Sequence, residues 1–201
     1  IISLVLLTCQ IQAQWSNQNI VPEGNNLWST FFIDDNTGWI VGSNGFIKKT
    51  SNAGKDWDEQ NSGTNLTLKS IQFINQSTGW ICGEAGLIIK TVDGGQSWIQ
   101  MSSGTIEPLT DLFFYDLNLG FAVGYNETII KTTNGGVNWE TQQAGLLYDL
   151  YSVDFVDSLV GFAAGGRDSS IFLNTTDGGE TWTKKTLLLG ALSSPTLNCV
   201  E

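Results

Sequence analysis

An eight-residue motif that recurs four times constrains the fold of this chain more than any other feature. The motif is Thr-x-Asp/Asn-x-Gly-x-x-Trp, and its clearest copy is TVDGGQSW, from Thr91 to Trp98. The four closing tryptophans are 41, 41 and 43 residues apart, a period that suits one four-stranded sheet per repeat. The four copies comprise Thr50, Asn52, Gly54 and Trp57; Thr91, Asp93, Gly95 and Trp98; Thr132, Asn134, Gly136 and Trp139; and Thr175, Asp177, Gly179 and Trp182.

The residue types of this motif are those of a tight turn. An Asp or Asn at the third position can accept hydrogen bonds from backbone N–H groups further along the turn, and glycine at the fifth position tolerates a positive φ. The closing tryptophan is expected to cover the apolar side of the turn. A calcium ligand or a catalytic carboxylate at the third position is disfavoured, because two of the four copies carry asparagine there. We therefore interpret the motif as structural.

Each repeat has the same order of strand-forming segments around the motif. A first strand such as LKSIQF at 68–73 leads to a Gly-aromatic pair, a second strand that ends in glycine, a short hairpin and a third strand. The motif then turns the chain into a fourth strand. This order predicts an all-β fold, a β-propeller of four-stranded antiparallel blades. The predicted repeats are residues 27–64, 68–105, 109–145 and 150–186.

The two ends of the sequence predict further parts of such a protein. Residues 1–14 are an apolar run that ends in small and polar residues, which is typical of a secretory signal peptide and indicates export from a bacterial cell. Residues 15–21 begin with WSNQN, similar to WDEQN at 57–61, and are expected to supply the outer strand that closes the ring. Residues 197–201 are predicted to begin a fifth repeat. The sequence thus predicts a propeller fragment with about four complete blades.

Composition narrows the classes of partner. Nine basic and 20 acidic side chains give a net charge of −11, which is the wrong sign for holding a phosphate backbone, so nucleic acid is not expected. The apolar run at the N-terminus is too short for a membrane span. Cys82 lies in an apolar segment and is expected to be a buried free thiol. The sequence marks no catalytic residue, no cofactor-binding residue and no metal ligand.

At these positions the chain resembles the Asp-box, or bacterial neuraminidase repeat, β-propellers. The pattern Leu-x-x-Ile-x-Phe, Gly-Trp, Gly-x-x-Gly and Thr-x-Asp-Gly-Gly-x-x-Trp is most similar to the propellers related to the photosystem II assembly and stability factor. The resemblance covers residues 15–201 and implies the propeller fold. The matched residues belong to the scaffold, so they imply little about the ligand.

The functions known for such propellers can be compared with the residues present. Sialidases use three arginines and a Tyr–Glu pair, and photosystem assembly factors present an arginine-rich patch. This sequence contains a single arginine, Arg167, which argues against both a sialidase site and a photosynthetic role. Xyloglucanase-like propellers use two acidic residues across a cleft, and no such pair stands out here.

Strand direction predicts where a ligand would bind. The hairpins between second and third strands and the links between blades share one rim, and propeller ligands usually bind at that rim. The candidate ligand residues on it are Glu84, Asn126, Glu127, Arg167 and Asp168, with Asn44, Glu107, Tyr148 and Asp149 as further candidates. The Arg167-Asp168 pair lies in the one lengthened hairpin, and its alternative interpretation is a solvated surface ion pair.

These observations favour a secreted, non-enzymatic propeller that binds a protein or glycan partner at the cell surface, or that is a module of a longer exported protein. The alternative is a glycoside hydrolase, sialidase-like or xyloglucanase-like, whose catalytic acids lie in further blades. A purely structural spacer is a third hypothesis. Paired carboxylates on the hairpin rim would favour the hydrolase.

Overall fold

The computed structural model describes residues 21–142, 148–166 and 170–185. Several predictions fall outside these residues: the signal peptide at 1–14, residues 15–20 of the closing strand, the fifth repeat from 197, and the hairpin residues Arg167 and Asp168. The last residues of the third and fourth predicted repeats also lie outside them.

The described residues form four antiparallel four-stranded sheets. The first sheet contains β1 (Leu27–Phe32), β2 (Gly38–Gly42), β3 (Phe46–Thr50) and β4 (Asp58–Asn61). The second contains β5 (Leu68–Phe73), β6 (Gly79–Gly83), β7 (Ile88–Thr91) and β8 (Ile99–Met101). The third contains β9 (Leu109–Phe114), β10 (Gly120–Gly124), β11 (Ile129–Thr132) and β12 (Glu140–Gln142). The fourth contains β13 (Leu150–Phe155), β14 (Gly161–Gly166), β15 (Ser170–Thr175) and β16 (Thr183–Lys185).

Within every sheet the strands pair in sequence order, so each sheet is a simple up-and-down meander. Two short 3₁₀ turns, Ser43–Gly45 and Glu84–Gly86, form the hairpins between β2 and β3 and between β6 and β7. The first strands of successive sheets pack against one another, β1 on β5, β5 on β9 and β9 on β13. Each sheet is therefore one blade, and the predicted β-propeller fold class is confirmed.

The Gly-aromatic pair at the start of each second strand makes room for a phenylalanine. A Cβ atom on Gly79 would lie 2.6 Å from the ring of Phe73, the last residue of β5. The same clash with the first-strand phenylalanine occurs at the three equivalent positions, Gly38, Gly120 and Gly161. Glycine is required there because the phenylalanine ring lies directly over the backbone of the second strand.

That phenylalanine is the centre of each interface between blades. The ring of Phe73 stacks on Trp39 of the preceding blade, with centroids 3.6 Å apart and an interplanar angle of 11°. The box tryptophan of its own blade, Trp98, makes an edge-to-face contact with the same ring, with centroids 6.0 Å apart and an interplanar angle of 83°. The same arrangement joins Trp80, Phe114 and Trp139, and then Phe121, Phe155 and Trp182. Offset and edge-to-face contacts of this kind stabilise beyond the area they bury.

The box forms the turn that its residue types predict. In the second blade, Thr91 Oγ1 accepts a hydrogen bond from the backbone N–H of Gly95 at 2.9 Å, and Asp93 Oδ1 accepts one from Ser97 N–H at 2.9 Å. Gly95 has a φ of +89°, which glycine adopts without steric cost. The box also has a role that the sequence interpretation missed. Its Gly94 carbonyl accepts a hydrogen bond from Lys49 Nζ of the preceding blade at 3.2 Å, so the box also joins two blades.

Replacing Phe73 with alanine should destabilise the protein far more than the same change at Phe32. Phe73 is 3% exposed between two tryptophans, so we expect F73A to lower the free energy of unfolding by about 3–5 kcal/mol. Phe32 occupies the same position in the first described blade but is 46% exposed, and F32A should cost less than about 2 kcal/mol. Denaturant unfolding of both variants measures the difference. Equal losses of unfolding free energy in F73A and F32A would contradict the stabilising role given to the stacked contact.

The two box aspartates should make stability depend on acid pH. The pKa of Asp93 is lowered from 3.8 to about 2, mainly by hydrogen bonds from the hydroxyl of Ser97 and then from its backbone N–H. The hydroxyl and backbone N–H of Thr181 lower the pKa of Asp177 in the same way, also to about 2. The stabilisation that these carboxylates provide is complete above their unfolded pKa and is lost as the pH falls from about 4 towards 2.

The matched variant is the double substitution D93N/D177N, because the first and third boxes carry asparagine naturally. Asn52 Oδ1 accepts a hydrogen bond from Asp56 N–H at 2.9 Å, the same geometry as Asp93. We expect thermal unfolding of the variant to lose less stability over this pH range than the parent does. An unchanged acid dependence would show that the box carboxylates do not carry it.

Candidate ligand-binding cleft

A β-bulge interrupts the first strand of every blade at the same position. In the second blade Leu68 pairs with Gly83 and Ser70 pairs with Cys82, so Lys69 is the extra residue. The equivalent extra residues in the other three blades are Trp28, Thr110 and Tyr151. Bulges re-aim side chains that regular alternation would bury in the sheet, and they are frequent beside functional sites.

The four bulge residues converge on one cleft. They are spaced 41 residues apart along the chain, and together with Tyr125 they line a cavity of about 370 Å³. Tyr125 lies in the hairpin after β10, and the bulges of the second, third and fourth blades follow the links from the preceding blades. The cleft therefore opens on the rim at which the sequence predicted a ligand. We call these five residues the bulge cleft.

Aromatic rings form much of the surface of the bulge cleft. Trp28 is 50% exposed and Tyr125 is 41% exposed. Tyr125 meets Tyr151 edge-on, with ring centroids 6.5 Å apart. Exposed tryptophan and tyrosine offer large rigid contact areas at a low cost in conformational entropy, and such residues are common anchors in binding surfaces.

Lys69 places a positive charge within this aromatic surface. Its Nζ lies 3.1 Å from the centroid of the Trp28 ring, which is a cation–π contact. Burial lowers the pKa of Lys69 because it disfavours the charged ammonium, and the nearby carboxylate of Glu84 opposes this shift. The ammonium group therefore lies against a ring face, in the electrostatic field of a nearby carboxylate.

Hydrogen bonds between blades support the base of the bulge cleft. The hydroxyl of Thr110 lies 2.7 Å from the carbonyl oxygen of Leu150 in the next blade. The adjacent residue, Asp111, accepts hydrogen bonds from Ser70 Oγ at 2.7 Å and from Val153 N–H at 3.0 Å, so its carboxylate links the second and fourth blades. Burial raises the pKa of Asp111. These contacts hold three of the bulged strands in fixed positions.

Three residues predicted for the ligand rim make contacts within the rim itself. Glu84 Oε2 accepts a hydrogen bond from Thr67 N–H at 3.1 Å. Asn126 donates through its backbone N–H to Asp149 at 3.1 Å and through its side chain to Glu107 at 2.9 Å. Glu127 has a φ of +60° and lines a separate polar depression of about 320 Å³ with Asn126. They lie beside the bulge cleft and do not line it, and Arg167 and Asp168 lie outside the described residues.

The sequence interpretation missed all five residues of the bulge cleft, although a signal for four of them was present. The second residue of each first strand keeps the 41-residue spacing, yet its type changes from Trp to Lys to Thr to Tyr. The residue before it is leucine in all four repeats. A position whose residue type changes this widely, directly after a constant leucine, indicates a residue that the fold does not require.

The described residues can also be compared with the requirements of a metal site, a membrane-spanning helix and a reactive cysteine. No group of three or more His, Cys, Asp or Glu residues in ranges 21–142, 148–166 and 170–185 is placed to hold a metal ion. No helix within those ranges is long and apolar enough to cross a membrane. Cys82 is a free, buried cysteine, as predicted, and burial raises its thiol pKa well above the usual value, which makes it a poor nucleophile.

Four meander blades, each carrying an Asp-box turn, define a β-propeller of the Asp-box class. The chain belongs to the photosynthesis system II assembly factor YCF48 family, whose model matches residues 7–105 and 100–197. No curated protein sequence matches it.

Solved structures show the same fold. YCF48 bound to D1 peptide is 22% identical, with a TM-score of 0.67 over 82% of this chain and 54% of that one. YCF48 from Cyanidioschyzon merolae is 20% identical, with a TM-score of 0.65 over 84% of this chain and 59% of that one. An ancestral GH74 enzyme is 16% identical, with a TM-score of 0.67 over 83% of this chain and 25% of that one. The chain thus spans less than two thirds of the length of these structures.

Proposed function

We propose that this chain is the ligand-binding part of a secreted, non-enzymatic β-propeller that holds a protein or glycan partner at the bacterial cell surface. The observation that carries the proposal is the bulge cleft. In four successive blades one residue is released from the sheet ladder, and these residues meet with Tyr125 at the rim. A surface built from exposed aromatic side chains on a rigid scaffold suits binding.

A family member supports a protein partner. The solved YCF48 structure contains a D1 peptide, so at least one propeller of this family binds a polypeptide. The single arginine of the present sequence, Arg167, gives no basis for the arginine-rich surface of the photosystem factors. We therefore propose a partner outside photosynthesis.

The rim carboxylates favour binding over hydrolysis. A glycosidase needs one carboxyl group to donate a proton and a second to act as base or nucleophile across the scissile bond. Glu84 and Glu107 each accept a hydrogen bond from a neighbouring residue of the rim. The likeness to a GH74 enzyme is at 16% identity and concerns the fold. The hydrolase alternative would place its catalytic acids in further blades.

Binding and turnover can be separated in one experiment. The secreted protein is immobilised and exposed to panels of peptides and polysaccharides, and both retention and released reducing sugar are measured. We expect retention of at least one ligand without release of sugar. The variant W28A/Y151A should weaken that retention by about tenfold or more, because exposed aromatic anchors dominate binding energy.

Release of reducing sugar would overturn the non-enzymatic assignment. Retention that is unchanged in W28A/Y151A would place the ligand elsewhere on the molecule. The double variant F32A/Y115A is a control, because Phe32 and Tyr115 are also exposed aromatic residues. Phe32 is the last residue of β1 and Tyr115 directly follows β9, so both lie at the end of a first strand that is away from the bulge cleft.

A further inference from the structure

Resting on the proposed binding function, we infer that the bulge cleft takes a basic peptide segment, with a lysine or arginine side chain of the partner packed on its tyrosine rings. The inference names the chemistry of the partner at the same site. It depends on three observations: the aromatic lining, the carboxylates around the opening, and the position of Lys69.

The aromatic lining can accept a cation. Lysine and arginine side chains are attracted to the faces of tryptophan and tyrosine rings, more strongly when the contact is partly desolvated. The cleft already contains one such contact, because Lys69 Nζ lies 3.1 Å from the Trp28 ring centroid. Tyr125 and Tyr151 line the remainder of the cleft, and Tyr125 is 41% exposed.

The charge around the opening is negative. Glu84 acts electrostatically on Lys69. Asn126, which follows Tyr125 in the chain, holds the carboxylates of both Asp149 and Glu107 through hydrogen bonds of 3.1 and 2.9 Å. Three carboxylates thus lie beside a cleft that contains a single ammonium group.

The net charge of the whole chain is also negative, at −11. A field of this sign raises the local concentration of cationic partners and repels anionic ones. A neutral glycan would use the aromatic rings but would gain nothing from the carboxylates. Charge complementarity therefore favours a basic peptide over a glycan or an acidic ligand.

Lys69 allows the sign of the ligand to be tested. For a cationic ligand, Lys69 is a repulsive neighbour whose charge Glu84 partly offsets, so K69Q should bind more tightly. For an anionic ligand, Lys69 would be the attractive group, and K69Q should bind more weakly. The two ligand classes predict opposite effects of one substitution.

The experiment measures fluorescence anisotropy of three labelled nonapeptides in which serine alternates with arginine, with glutamate or with glutamine, alongside a labelled neutral xyloglucan oligosaccharide. We expect the arginine peptide to bind and the glutamate peptide to show no binding. Y125A and Y151A should each raise the Kd of the arginine peptide by about tenfold. E84Q should also weaken binding, K69Q should tighten it severalfold, and added salt should weaken it.

Two substitutions serve as matched controls. Y115A removes a tyrosine of similar exposure, 45%, from the opposite rim, and E59Q removes an equal charge from exposed Glu59 on β4. Neither should change Kd, and thermal unfolding verifies that every variant is folded. If the control variants Y115A and E59Q weaken binding as much as Y125A and E84Q do, the attraction is non-specific and the inference is overturned.

The remaining outcomes separate this inference from the proposed function. If the glutamate peptide or the oligosaccharide binds in a manner sensitive to Y125A, the cleft is a binding site but its ligand is not basic. If K69Q weakens binding of the arginine peptide, the assigned sign is wrong. If no probe binds at the cleft and the wider panels also give no retention, the proposed binding function itself fails.

Discussion

The contact of one phenylalanine with two aromatic residues, one stacked on it and one edge-to-face, is the interaction on which the blade arrangement depends. Phe73 lies against Trp39 of the preceding blade and against Trp98 of its own box. The glycine that precedes each second-strand aromatic is needed because the phenylalanine ring covers its α carbon. Lys90 then extends over Trp80 and donates to Gly135 of the next box at 2.9 Å. Most of the constant residues of the repeat thus serve a single interface.

This interface lies at one end of the first strand and leaves the other end free to vary. The stacked phenylalanine is the last residue of the strand, whereas the bulge is its second residue. The leucine before the bulge is buried in three of the four blades, at Leu68, Leu109 and Leu150. The bulge residue itself contributes little to the ladder, so its type can change without loss of the fold. The scaffold residues and the residues of the candidate cleft thereby occupy different positions of the same strand.

The strands could be predicted from the sequence because they depend on local patterns that repeat. The segment LKSIQF at 68–73 forms β5 with the predicted limits, and the box residues form the predicted turns. The bulge at Lys69 could not be predicted from alternation, since both faces of each blade are packed and the pattern is already blurred. The contact of Lys49 with Gly94 joins residues 45 positions apart, and no local signal indicates it. Glu84 and Asn126 lie in the hairpins where the sequence placed them, whereas the bulge cleft is lined mainly by strand residues.

A double-mutant cycle on Trp39 and Phe73 would test most directly whether stacking between blades holds the propeller together. The variants W39L, F73L and W39L/F73L are unfolded in denaturant, and their free energies of unfolding are compared with the parent. The stacked geometry at 3.6 Å predicts a favourable coupling of about 0.5–1.5 kcal/mol between the two rings. Strictly additive losses would show that each ring contributes only its own burial, and would contradict the central role given to this contact.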